Sequence, residues 1–101
     1  MTTIANAREE RIDSSKGIKI VVRSWQPESM PRGVIAICHG VNSHGGQYLW
    51  VGAQFAAAGF AAYALDLRGR GKSDGERFYV ENIADYVSDV TAMIALAKSR
   101  H

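Results

Sequence analysis

The chain has 101 residues, 47% of them hydrophobic and 22% charged, a composition that excludes a disordered tail and fits one small domain. Twelve Lys and Arg against ten Asp and Glu leave a net charge of +2, and no cluster of four or more basic residues marks a nucleic-acid groove or a polybasic membrane patch. One cysteine excludes an internal disulfide framework and points to a reducing, cytoplasmic setting; residues 1–10 lack the apolar core of a signal peptide, and no stretch approaches the roughly 20 apolar residues of a transmembrane helix.

Residues 1–7 are small and polar and are expected to be disordered. Residues 8–14 alternate weakly, Lys16-Gly17 is a turn signal, and residues 18–25 are rich in β-branched side chains, with Ile18, Ile20 and Val22 on one face. Together they predict a β-hairpin. The prolines of 27–31 make a loop. Residues 33–38 are continuously apolar, as a strand covered on both faces would be. A glycine-rich loop follows over 39–46. Helical spacing then begins at Tyr48, with Tyr48, Val51, Phe55 and Ala58 on one stripe and Gly59 as its stop.

A second apolar run, 60–65, ends at Asp66. After a loop rich in Gly and charge over 67–81, Asn82 reads as a helix N-cap, with Asp85 in the place of the reciprocal capping-box residue. Ile83, Val87, Val90, Ile94 and Ala97 form the apolar face of that helix. Lys98 and Arg100 complement its C-terminal dipole. Hairpin, strand, helix, strand, helix predicts an α/β fold with a parallel crossover. All of 1–101 then reads as the N-terminal part of a single, larger α/β domain.

In open α/β sheets, chemistry gathers beyond the carboxyl ends of the strands. Two loops leave such ends here. Gly71-Lys72-Ser73 resembles the tail of a phosphate-binding loop, but the leading glycine position is Asp66, a carboxylate that would repel phosphate. Gly69 and Gly71 would need a third glycine at Asp74 for a dinucleotide fingerprint. No nucleotide cofactor is expected. Cys38, His39 and His44 lie close together without metal-site spacing, so no metal is expected either. Cys38 ends an apolar strand and reads as a small buried hydrophobe, not a nucleophile. At Asp66, a structural cap for the glycine loop is favoured over catalysis. His39-Gly40-Val41 reads as an anion hole, in which a glycine turn aims main-chain N–H groups at a developing oxyanion.

The stretch from His39-Gly40-Val41 to Gln47-Tyr48 resembles the HGxxxHxxRY motif of the monoglyceride lipase and lysophospholipase branch of the α/β-hydrolases, with Gln47 in place of Arg. The stretch from Asp66 to Arg77 resembles that branch's D-x-x-G-x-G-x-S-x-G-x-R motif, matching through Asp66, Gly69, Gly71, Ser73, Gly75 and Arg77. The resemblance implies a mostly parallel eight-stranded sheet and a Ser–His–Asp triad acting on small acyl esters such as monoacylglycerols or lysophospholipids. It implies that the backbone N–H of Val41 is one oxyanion donor. His39 and Gly40 would shape that turn, and Asp66, Gly69 and Gly71 would hold the second loop. His39 would not be the triad base, nor Asp66 the triad acid.

No serine of the chain lies in the nucleophile elbow G-x-S-x-G. The resemblance places the elbow, triad and lid beyond residue 101, and the 101-residue chain alone is expected to be inactive. Three readings follow: an N-terminal portion of a serine hydrolase, either continued in the same polypeptide or completed by a C-terminal chain; a non-catalytic binding or structural module of the same fold; and an inactive remnant. The family strand order would leave 34–38 as an unpaired apolar edge, so the isolated chain is expected to be insoluble or molten.

Overall fold

The computed structural model describes residues 7–39 and 48–101. At its centre is a four-stranded mixed sheet. Arg8–Asp13 (β1) pairs antiparallel with Lys19–Trp25 (β2). The turn between them is tight, because Lys16 and Gly17 both take left-handed backbone, with φ of 59° and 72°. Val34–Ile37 (β3) pairs parallel with Ala61–Asp66 (β4), and β4 pairs antiparallel with β2. The sheet order is β1-β2-β4-β3. Leu49–Ala57 (α1) connects β3 to β4, and Ile83–Arg100 (α2) follows β4.

Strand β4 is continuously apolar because both of its faces are covered. Ala61, Tyr63 and Leu65 join Ile20, Val22, Met93 and Ala97 in a core beneath α2. Ala62 and Ala64 join Trp25, Ala53 and Ala56 in a second core beneath α1. The period-2 alternation of a strand thus puts the two helices on opposite faces of the sheet. Ala7 packs against the Trp25 cluster; residues 1–6, expected to be disordered, lie outside the described residues. The last turn of α1 closes as a Schellman motif, with Phe60 N donating to Phe55 O at 2.9 Å and Gly59 N to Ala56 O at 3.0 Å.

Several sequence expectations are corrected by the packing. On α1 the buried residues are Gly52, Ala53 and Ala56, not the Tyr48–Val51–Phe55–Ala58 stripe. The bulk comes from the sheet. Trp25 presses so close that a Cβ on Gly52 would lie 2.3 Å from its ring, so this face of the helix accepts only small residues. On α2 the buried residues are Asp85, Asp89, Met93 and Ala97. Of the expected stripe, Ile83 is 71% exposed and Val87 59% exposed, and Ile94 is exposed as well, while Ala97 is buried and Val90 packs against the core. The buried stripe lies about a third of a turn round the helix from the expected one. In the first half of α2 the buried positions are acidic and meet Lys16 and Arg68, while Tyr86 and Val90 pack against the core beside them.

Asn82 does cap α2, its Oδ1 accepting from Ala84 N at 2.9 Å. Asp85 does not complete a capping box. Its carboxylate meets Lys16 Nζ at 3.1 Å, pinning the hairpin turn to the helix. Strand β3 is not covered on both faces among the described residues. It is an edge strand on which Val34 and Ala36 are exposed. At the far end of α2, Arg100 grips Glu10 with two nitrogens at 2.7 and 2.8 Å. This holds the Glu10 carboxyl below its ordinary pKa.

Candidate active site

The two loops singled out in the sequence begin side by side at the carboxyl ends of β3 and β4. His39 is buried, and its Nε2 accepts a hydrogen bond from Leu67 N at 3.0 Å. With that lone pair engaged, the ring proton of neutral His39 sits on Nδ1. The bond ties the root of the first loop to the root of the second. Gly40 and Val41, the proposed turn and oxyanion donor, lie outside the described residues.

Asp66 is 0% exposed at the end of β4. Its Oδ1 accepts from Arg23 Nη1 at 2.8 Å and its Oδ2 from Lys72 N at 3.0 Å. Its main-chain oxygen accepts from Ser73 Oγ, which in turn accepts from Val21 N at 2.7 Å. Burying a carboxylate is tolerable only with such compensation. Here the compensation folds the second loop back onto the sheet.

The glycines make that return possible. Gly69 has φ of 75°, its N donates to Asp74 O at 2.8 Å, and a Cβ there would lie 2.4 Å from Glu76 O. Gly71 is also left-handed, and its carbonyl accepts from Arg77 Nη1 at 2.8 Å. Arg77 reaches the carbonyls of Ser73 and Gly75 too. The motif Asp66, Gly69, Gly71, Ser73, Gly75, Arg77 is therefore one hydrogen-bonded unit. Gly69→Ala is expected to lose roughly 1–2 kcal/mol to the left-handed backbone alone, with the clash against Glu76 O added. A denaturant-unfolding midpoint measures this; an unchanged midpoint would show that the loop can relax.

Sequence reasoning passed over three residues in this region. Arg68 and Asp89 are both buried and form an ion pair, with Arg68 Nη2 2.9 Å from Asp89 Oδ1 and Arg68 N donating to Asp89 Oδ2 at 2.9 Å. Ser14 Oγ donates to the same carboxylate at 2.6 Å. The spacing of Asp85 and Asp89, one helical turn apart, was the available signal. Arg70 stacks over Phe78, its guanidinium carbon 4.8 Å from the ring centroid, and is itself buried. Cys38 is exposed, correcting its reading as core, because β3 is an edge strand. The protein on its inner side nonetheless desolvates the thiol and, with the charge of Asp89, pushes its pKa up, away from nucleophilic character.

An open groove of about 460 Å³ runs beside these residues, lined by Cys38, His39, Leu67 and Arg70 from the loops and by Ile83 and Val87 among others from α2. Among the described residues, no group of three or more His, Cys, Asp or Glu is arranged to hold a metal, and no helix is long and apolar enough to cross a membrane.

The family described as serine aminopeptidase, S33 matches residues 29–101. The chain is 39% identical over 85 residues to a monoacylglycerol lipase of Mycolicibacterium smegmatis, covering 84% of this chain and 30% of that protein. It is 30% identical over 77 residues to the monoglyceride lipase of Homo sapiens, covering 76% of this chain and 25% of that protein. A thermostable carboxyl esterase from Bacillus coagulans superimposes with a TM-score of 0.82 at 23% identity, covering 97% of this chain and 33% of that one. The chain thus spans about a third or less of the length of these relatives, and its β-hairpin and β-α-β-α order correspond to an N-terminal portion of their fold. The matched motifs, the sheet and the relatives agree, and the chain belongs to the serine aminopeptidase S33 family of α/β-hydrolases, in its monoglyceride-lipase-like branch.

Proposed function

We propose that this chain is the N-terminal, oxyanion-loop-bearing part of a serine hydrolase that cleaves small acyl esters of the monoacylglycerol or lysophospholipid class. The observation that carries the reading is the His39–Leu67 hydrogen bond, which locks together the roots of the two motif loops where the sheet ends. A loop held in this way can present a preorganised N–H group, and preorganisation is what makes such a donor effective on a charge that forms only in the transition state. Val41 supplies that donor through its backbone N–H, Gly40 gives the turn its freedom, and His39 is structural. Asp66, Gly69 and Gly71 hold the neighbouring loop. The nucleophile, the acid and base of the triad, and the second oxyanion donor come from polypeptide beyond residue 101.

In this mechanism the serine attacks the ester carbonyl and the Val41 N–H stabilises the tetrahedral oxyanion. Collapse then expels the alcohol, and water releases the fatty acid from the acyl-enzyme. No metal or organic cofactor enters the scheme. The test compares the 101-residue chain with a polypeptide that continues it through the nucleophile elbow and on through the acid and base of the triad, assayed on monoacylglycerol and lysophospholipid and labelled with a fluorophosphonate. The short chain is expected to release no fatty acid and take up no label, while the longer one does both. A longer polypeptide that carries the elbow, folds, and neither turns over nor labels would leave a binding module as the reading.

A further inference from the structure

Arg70 has no assigned role, and its surroundings are unusual for an arginine. The residue is 8% exposed, and its Nη1 is buried without a hydrogen-bond acceptor among the described residues. A buried guanidinium nitrogen without an acceptor forfeits its hydration and receives nothing in return. The ring of Phe78 offsets part of this through its π-face, but such a contact does not replace an oxygen acceptor for Nη1. By contrast, the neighbouring arginines Arg68 and Arg77 are bonded to carboxylate, hydroxyl or carbonyl oxygens.

Arg70 also lines the apolar groove next to Cys38, His39, Ile83 and Val87. A second depression lies further along α2 and β3. Ile94 on α2 and Val34 and Ala36 on β3 line it, and among the described residues β3 carries no strand on its outer side. Arg100 and His101 lie beside Val34 at the start of β3. A strand following α2 would therefore meet the free edge of β3 at its beginning and run parallel to it, towards the groove. So long a surface, apolar and ending in an unpaired strand edge, suits polypeptide better than a small molecule. The relatives supply the length, since this chain covers only 30% of the Mycolicibacterium lipase and 33% of the Bacillus esterase.

We infer that Arg70 is a docking and positioning residue: its Nη1 receives a main-chain carbonyl or carboxylate oxygen from the C-terminal part of the hydrolase, which covers the Ile83–Val87 groove and the β3 edge. The inference rests on the hydrolase reading for the identity of the covering segment. It goes beyond that reading in assigning Arg70 the bond that fixes this segment against the root of the oxyanion loop.

The test co-expresses the 101-residue chain with the remainder of the Mycolicibacterium smegmatis monoacylglycerol lipase, beyond its aligned segment, and measures complex formation and ester hydrolysis separately. The wild-type chain is expected to form a one-to-one complex. Arg70→Met keeps the stem and removes the donor, and is expected to weaken association about 10- to 100-fold, the worth of a hydrogen bond from a charged group. Arg70→Lys is expected to recover part of the loss. The same variants in a single-chain chimera, with residues 1–101 replacing the aligned segment, read the interaction as a lowered unfolding midpoint, so an insoluble free chain still gives an answer. Equal association and equal midpoints for wild type and Arg70→Met would overturn the inference, as would a structure of the chimera in which Nη1 meets only water. An Arg70-dependent complex with no ester hydrolysis would instead overturn the functional reading and leave the docking role standing.

Discussion

Replacing Asp89 with alanine is expected to destabilise the protein by about 3–5 kcal/mol, the cost of removing one partner from a buried ion pair. Asp89 is 0% exposed. Its oxygens accept from the Arg68 guanidinium, from Arg68 N at 2.9 Å and from Ser14 Oγ at 2.6 Å. The substitution therefore takes the anionic partner from a buried cation that keeps only neutral oxygens of Ser14 and Ser15 and a more distant Asp85, and leaves a main-chain donor without its acceptor. A domain of this size has only about 5–15 kcal/mol in total, so a loss of this order is a large fraction of it. Equilibrium denaturation of the hydrolase polypeptide carrying the substitution measures it. The double variant Asp89→Ala with Arg68→Met removes the stranded charge and is expected to recover part of the loss, which makes the coupling between the two sites visible. A loss below about 1 kcal/mol in the single variant would mean that water solvates Arg68 in its place.

The same pair explains where the sequence could and could not be read. Elements were legible because their signals are local. Glycine and proline marked the turns, Gly59 and Asn82 marked helix ends, and the apolar run at 60–65, ending at Asp66, marked the strand found at Ala61–Asp66. The rotation of the helices was not legible, because it depends on what lies opposite. Asp85 and Asp89 look like solvent-facing residues until Lys16 and Arg68, distant in sequence, are brought against them. Gly52 and Ala53 look like weak core residues until Trp25 is seen to fill the space. Ile83, Val87 and the residues of β3 read as core from their apolar pattern, but among the described residues Ile83 and Val87 are exposed and β3 is an edge strand. At the site, the Asp66-to-Arg77 motif was legible as a unit because each of its members bonds within it. Arg70 escaped notice because an arginine in a glycine-rich, charged loop gives no local sign that it will be buried beside Phe78.

In the longer hydrolase polypeptide proposed above, Val41→Pro is expected to lower kcat about 100- to 1,000-fold on an acyl ester, the usual consequence of losing one oxyanion donor. Proline removes the main-chain N–H, while Val41→Ala keeps it and should stay close to wild type. The pair separates the N–H from the side chain, and a circular dichroism spectrum and unfolding midpoint for each variant separate both from misfolding. A folded Val41→Pro enzyme with undiminished kcat would show that the donor lies elsewhere. His39 provides the contrast. Because its Nε2 is occupied by Leu67 N, His39→Ala leaves a buried main-chain donor unsatisfied, which costs about 1–3 kcal/mol of stability. Its effect on turnover should come through loop position, and the apparent pKa of the general base in the rate–pH profile should not move. His39→Gln, whose amide oxygen can take the place of Nε2, should restore much of the stability. Loss of the acidic limb of the profile in His39→Ala would instead identify His39 as the proton acceptor. The division of labour between a structural histidine and a main-chain oxyanion donor would then have to be reversed.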